Sequence, residues 1–321
     1  MQNFLSVIIP TIQKRVDILS SLVECIEKDA CVDEILVINN KPESPLIFNN
    51  SKIRVITPSE NLYVNPSWNL GIKEIRNENF LLLNDDLMVG ENFCGRIINS
   101  TIFNSPNTGL IGMKNSNLIH FDIDCVFSDA EPEFDVLENH LGTGDWGVSI
   151  FGRKENYYEI PNDIRIIYGD NYLLYRNKLN NKINYAISNL QCHHIHSLSC
   201  SSSEFVKVVS ADIKNSNKYF RDDNNYQNQT VNNVQIGNIV ENYTEIFKDI
   251  TINDINIQIV NEICKINISE YKFFTCMKVT QNNKLLAKDD LEQKLDEILH
   301  LNNKNLINKI AEKIYTIYQS L

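Results

Sequence analysis

Three short stretches of this chain set reactive side chains at the ends of apolar runs, where a fold could hold them still. The first is Leu81-Leu82-Leu83-Asn84-Asp85-Asp86, a strand-like run closing in adjacent carboxylates. Two such carboxylates repel unless a cation sits between them. The pair therefore suits a hard divalent ion, Mn²⁺ or Mg²⁺, held by one or two oxygens while phosphate oxygens fill the rest of its shell. Taken alone, Asn-Asp-Asp after a strand also describes a solvated turn whose Asp caps the next helix. The second stretch is Ile166-Ile167-Tyr168-Gly169-Asp170-Asn171-Tyr172, read as a strand feeding a carboxylate into a helix start. Asp170 is then either a general base for an attacking hydroxyl or the N-cap of a helix beginning at Asn171. Asp145, in Gly142-Thr143-Gly144-Asp145-Trp146-Gly147, is a rival base, because its glycines let backbone lie close to a ligand. The third stretch is Cys192-His193-His194-Ile195-His196. Alternate side chains of an extended chain share a face, so His194 and His196 point together, and either could complete a metal shell. No cysteine stands at ligand spacing with them, which argues against a dedicated zinc site.

Positioning these groups requires rigid elements upstream. Leu5 to Ile9 is an apolar, β-branched run closed by Pro10 and Thr11, a buried strand running into a loop. From Val16 to Lys28 the apolar residues recur at helical spacing, and Glu34 to Ile38 is strand-like again, ending at Asn39-Asn40. A third strand over Lys52 to Ile56 precedes a helix around Pro66 to Arg76, and Phe80 to Leu83 forms a fourth. Repeated strand and helix with short connections predicts an α/β fold: a mostly parallel sheet with helices on both faces, ligands lying beyond the carboxyl ends of the strands. Shorter runs at Gly109 to Met113, Val148 to Phe151, Ile164 to Tyr168 and Ala186 to Leu190 extend the pattern, with a helix over Tyr172 to Leu179. Trp68 and Tyr63 could stack on a base or sugar ring, although aromatics at a helix start are commonly core. Arg15 could reach a phosphate or simply face solvent.

The order VIIPT, ILVINN, then Asn61 to Gly71 with its spaced asparagines, then FLLLNDD resembles the family 2-like inverting glycosyltransferases of the GT-A fold. The resemblance covers roughly residues 4 to 200, and its specificity lies in the order of the motifs. It implies a nucleotide-diphospho-sugar donor held by Pro10, Thr11 and Asn39, by Asn61, Asn65, Trp68 and Asn69, and by Asn84 and Asp85. It implies Asp86 as metal ligand, Asp170 in the place of the base, and His194 as a further ligand from an HxxS-like segment, His194-Ile195-His196-Ser197. Two departures stand out: Asn39-Asn40 ends the second strand where Asp is common, and the metal motif opens with Asn84.

The 321 residues, with 43% hydrophobic and 22% charged, fit a soluble protein of one large or two moderate domains. A formal charge of −11 disfavours long nucleic acid, while a nucleotide diphosphate can bind through a cation whatever the overall sign. Eight scattered cysteines without a CxxC pair fit a reducing cytosol, and the first residues read as a strand instead of a signal peptide. The expected domains are 1–203, catalytic, and 204–321, mainly helical, with a Ser-rich boundary at Ser197 to Ser203 and a loop-like stretch over Lys214 to Asn233. The amphipathic tail from Asp289 to Leu321 suits acceptor binding, homo-oligomerisation or a peripheral membrane contact; its upstream acidic residues favour internal packing. The leading function is thus metal-dependent sugar transfer to a glycan or other hydroxyl acceptor, as in surface polysaccharide synthesis. A sugar nucleotidyltransferase fits less well, because the loop after the first strand has no glycine to wrap a triphosphate. A non-catalytic carbohydrate-binding protein on the same fold is the alternative from another class.

Overall fold

A computed structural model of the chain describes residues 3–113, 118–119, 127, 130–138, 145–190, 192–194, 203–216, 218–220, 255–260, 263–268, 273–278, 280–281, 284–299 and 304–319. The described residues through Phe220 belong to one compact unit, and those from Ile255 onward belong to a second.

The first unit runs β1 (Leu5–Thr11), α1 (Val16–Ile26), β2 (Val32–Asn39), β3 (Ile53–Ile56), α2 (Val64–Glu74), β4 (Asn79–Leu83), β5 (Leu87–Val89), α3 (Phe93–Ile98) and β6 (Thr108–Met113). It continues with β7 (Leu118–Ile119), β8 (Phe134–Val136), β9 (Ser149–Arg153), α4 (Gly169–Leu179), β10 (Ile183–Ile187), β11 (Cys192–His194) and α5 (Ser203–Ser216). Eight strands make one sheet in the order β3-β2-β1-β4-β9-β6-β10-β8. The pairs among β3, β2, β1 and β4 are parallel, as is β6 with β10, whereas β9 and β8 run antiparallel to their neighbours. The sequence expectation of a mostly parallel α/β sheet is met.

All seven residues of β1 are buried, as a strand covered on both faces requires. Alternation sorts them: Val7 and Ile9 pack with Leu19, Leu22, Val23 and Ile26 of α1, and Ile8 packs on the opposite face with Trp68 of α2. The close approach of α2 explains Gly71, because a Cβ there would come within 2.5 Å of Ile8 Cγ2. The Thr11 carbonyl accepts Asn40 N–H on the β2 side at 2.8 Å, so Pro10, which has no N–H to give, faces β4. There the ladder has already stopped at Ile8 opposite Leu82. The two strands part beyond that point, which leaves Thr11 and the residues after Leu83 free to face one another.

The expected boundary at Ser203 lies inside the first unit. α5 and the turn after it contribute Val209, Ile213 and Phe220 to the core behind α2 and α4, so this segment completes that core. The Ser197–Ser202 stretch and residues 221–233 of the expected loop lie outside the described residues. Ile164 to Tyr168 is not a strand: the backbone amides of residues 165–167 are drawn to a carboxylate, as described below, and the sheet's last parallel strand is β10.

The second unit contains β12 (Ile255–Val260), β13 (Ile263–Ile268) and β14 (Phe273–Lys278) as an antiparallel sheet, a short hairpin of β15 (Thr280–Gln281) and β16 (Lys284–Leu285), and the helices α6 (Lys288–Leu299) and α7 (Lys304–Gln319). The helices match the expected tail; the sheet before them has no counterpart in the sequence reading. Leu306, Ile307, Ile310, Ala311 and Ile314 of α7 bury against Leu291 and Leu295 of α6 and against Ile257 and Ile266. The apolar stripe that suited a membrane surface is therefore used inside this unit. No helix of the described residues is long and apolar enough to cross a membrane.

Candidate functional site

The polar ends of β1, β2 and β4 meet on one edge of the sheet. Thr11 Oγ1 donates to Asp85 Oδ2 at 2.5 Å and accepts Gln13 N–H at 2.8 Å, and Asn84 N–H donates to Val148 O at 3.0 Å. Burial, and next the charge of Asp86, push the Asp85 carboxyl up to about 7, against the opposing hydrogen bond from Thr11. Directly after Asp86, β5 pairs antiparallel with β11 so that Leu87 stands opposite His194. That register carries Asp86 to the imidazole: Oδ1 of Asp86 lies 3.3 Å from His194 Nε2.

The same oxygen is buried and, among the described residues, makes no hydrogen bond, a costly state for a carboxylate. An imidazole nitrogen and a carboxylate oxygen facing each other at the end of an acidic strand fit a divalent cation such as Mn²⁺ or Mg²⁺. Among the described residues no group of three or more His, Cys, Asp or Glu side chains is arranged as a metal site. Two protein ligands would thus leave the remaining positions to oxygens of a bound phosphate. His196 lies outside the described residues.

The residues expected at the donor separate into two kinds. Asn39 is fully buried and serves the scaffold: its Oδ1 accepts Gln13 Nε2 at 2.8 Å, and its Nδ2 donates to Ser44 O at 2.9 Å. Asn40 Nδ2 likewise donates to Ser67 Oγ at 2.9 Å. Asn69 is committed on both sides, with Nδ2 on Ile160 O at 2.7 Å and Oδ1 accepting from Tyr157 Oη at 2.7 Å and Ile160 N at 2.9 Å. Trp68 is in the core, although among the described residues its Nε1 makes no hydrogen bond. Asn61 holds the turn into α2 by accepting Tyr63 N–H at 2.8 Å, and Arg15 pairs with Asp17 at 2.7 Å in solvent. Pro10, Thr11, Asn84 and Asp85 are the members that gather at the strand ends near Asp86.

Asn65 is fully buried and reaches the segment that leads into Asp170. Its Nδ2 donates to Ile164 O at 3.1 Å and Ile167 O at 3.3 Å, and its backbone N–H to Arg165 O at 2.8 Å. Its Oδ1 lies against Gly169, where any Cβ would collide with it, so glycine is required at the start of α4. The helix begins at Gly169 after Tyr168 in the left-handed region (φ 65°), which places Asp170 inside the first turn. Asp170 is therefore not the N-cap of a helix starting at Asn171. Gly147 packs against it, since a Cβ on Gly147 would come 2.8 Å from Asp170 Oδ2. That contact brings the turn of Asp145–Val148 beside Asp170; the Asp145 side chain itself lies outside the described residues.

Two residues that shape this site escaped the sequence reading. Gln13, with φ 58°, ties β1 to β2 through Asn39 and to the following loop through Ser44. Asp212 on α5 is nearly fully buried and accepts three consecutive backbone N–H groups, from Arg165 at 2.8 Å, Ile166 at 2.7 Å and Ile167 at 3.0 Å. A polar residue on the apolar face of an amphipathic helix was the available signal for Asp212.

No curated protein sequence matches the chain. Among solved structures, S. aureus TarS 1-349 gives a TM-score of 0.49 at 12% identity, over 78% of this chain and 76% of that one. The mannosyltransferase PcManGT from Pyrobaculum calidifontis, in complex with GDP-Man and Mn²⁺, gives 0.44 at 8% identity over 69% and 64%. At this level of similarity neither structure assigns a role to a residue here. The family model described as Glycosyl transferase family 2 matches residues 6–111, from β1 through α2 and the Asn84-Asp85-Asp86 strand end to β6. That likeness to glycosyl transferase family 2 spans residues 6–111 of the 321.

Proposed function

We propose that this chain moves a sugar, with inversion, from a nucleotide-diphosphate donor to a hydroxyl of a glycan, as in surface polysaccharide synthesis. The observation that carries the reading is the buried oxygen of Asp86, which among the described residues makes no hydrogen bond and faces His194 at 3.3 Å, beside the Thr11–Asp85 hydrogen bond. Asp86 and His194 would hold Mn²⁺ or Mg²⁺, whose charge offsets that of the leaving diphosphate. Thr11 keeps Asp85 fixed behind them, and Asn84, tied to Val148 by its backbone, offers its side chain to the donor. Asp170, in the first turn of α4 and packed on Gly147, takes the proton of the incoming hydroxyl as its oxygen attacks the anomeric carbon and the bond to the diphosphate breaks.

The test measures release of UDP or GDP from UDP- and GDP-hexoses, with water as acceptor, in Mn²⁺. Asp170→Asn is expected to lower turnover by roughly 10²-fold to 10⁴-fold, the usual contribution of a positioned base, with nucleotide affinity nearly unchanged. If the selective loss instead follows Asp145→Asn, the base is Asp145. If neither variant loses turnover, the proposed chemistry fails.

A further inference from the structure

Asp170 does not stand on a strand end; the segment in front of α4, residues 164–168, lies in no strand that could hold it. It is gripped from two sides. On one, Asn65 of α2 binds the carbonyls of Ile164 and Ile167, donates its own N–H to Arg165 O, and abuts Gly169. On the other, the carboxylate of Asp212 takes the N–H groups of Arg165, Ile166 and Ile167 at 2.7–3.0 Å. Three consecutive amides pointing at one acceptor form a concave nest that ordinarily binds an anion. Here the chain supplies that anion itself, from a helix 47 residues further along. Hydrogen bonds to an ionised acceptor are the stronger kind, and this one is nearly fully buried.

We infer that Asp212 is a positioning residue for Asp170: it fixes the 165–167 backbone, and through Tyr168 and Gly169 it sets where the first turn of α4 presents its carboxylate. The inference rests on the reading of Asp170 as base. A structural clamp could stop at holding the core together; this one sits three residues before the reacting group, with a left-handed Tyr168 between them. Small displacements of a catalytic group lower rates steeply, by about 10²-fold for a misplacement near 1 Å.

The experiment uses the full chain and compares wild type, Asp212→Ala, Asp170→Asn and the double variant, well below their melting temperatures. Readouts are UDP or GDP release from the hexose conjugate, nucleotide affinity, and hydrogen exchange of the Arg165, Ile166 and Ile167 amides. Asp212→Ala is expected to unprotect those amides and lower kcat by about 10-fold to 100-fold, with nucleotide affinity unchanged. In the Asp170→Asn background the same substitution should cost little more, because both changes remove one function. Full turnover with unprotected amides would overturn the inference, as would a loss of the same size in the Asp170→Asn background. Full turnover in Asp170→Asn alone would instead remove the base reading itself, and this inference with it. If Asp212→Ala does not fold, Asp212→Asn, which keeps one acceptor oxygen and loses the charge, carries the same comparisons with a smaller expected drop.

Discussion

The two ends of the central sheet each bury a carboxylate, and they treat it in opposite ways. At the amino-terminal end of β1 and β2, Glu34 is fully buried and fully paired. It accepts Ser6 Oγ at 2.6 Å and Arg76 N–H at 2.8 Å, and its other oxygen faces Arg54 and Arg76 at 3.2 Å each. Burial alone would raise its pKa, but the Arg76 amide, the Ser6 hydroxyl and the two guanidinium groups together hold it below the ordinary value of 4.5. At the carboxyl-terminal end, Asp85 and Asp86 stand side by side; among the described residues no arginine or lysine pairs with them, and burial with the charge of Asp86 pushes Asp85 up to about 7. One end is satisfied within the protein. The other, on the function proposed here, would be completed by a ligand, which is the pattern expected where function is kept at the expense of stability.

The ends also differ in how much chain each requires. The Glu34 cluster is built from residues 6 to 77, whereas the opposite end draws on β1, β4, the 145–148 turn, α4, β11 and, through Asp212, α5. Ending the chain at Ser203 should therefore be the most damaging single change. It removes fully buried Phe220 along with Val209, Ile213 and the Asp212 clamp. At about 3–5 kcal/mol for one large core aromatic alone, the sum exceeds what a domain of about 5–15 kcal/mol can lose. A chain ending at Gly237 keeps the first unit and should melt cooperatively. A folded, nucleotide-binding 1–203 fragment would show that the site end needs no more chain than the other.

A smaller effect is expected at the Glu34 end. Glu34→Gln keeps the shape but loses the charge, so the protein should lose about 1.5–3 kcal/mol at neutral pH in a denaturant titration. Because the folded pKa of Glu34 is depressed, its contribution is present above the unfolded value of 4.5 and fades as pH falls through the folded one. The gap between wild type and variant should accordingly shrink toward acid pH while turnover at neutral pH stays intact. A gap that widened on acidification would reverse the sign of the argument.

Much of the first unit was legible because fully buried parallel strands write themselves as unbroken apolar runs: β1, β2 and β4 were placed within about three residues, and the carboxylates followed from their polar ends. Asn39, Asn65 and Asn69 were picked out by type and order, but sequence spacing could not distinguish an amide facing a ligand from one that ties loops together, as Asn65 and Asn69 do. Ile164 to Tyr168 looked like a strand because it is largely apolar with β-branched isoleucines; the distant Asn65 and Asp212, which take up its backbone groups, are not visible in its local pattern. The β5–β11 register that brings His194 to Asp86 was likewise invisible, since a three-residue pairing across a long separation leaves no periodic trace.

The central claim, that the acidic strand end is a cation and nucleotide-diphosphate site, is tested most directly by thermal unfolding of wild type and Asp86→Ala. Each would be scanned alone, with Mn²⁺, and with Mn²⁺ plus UDP or GDP. Wild type should gain stability only when metal and nucleotide are both present, by about 2.7 kcal/mol at one hundred times Kd. Asp86→Ala should lose that gain entirely, yet melt no lower than wild type without metal, because the repulsion with Asp85 is relieved. An undiminished Mn²⁺-dependent gain in Asp86→Ala would contradict the account.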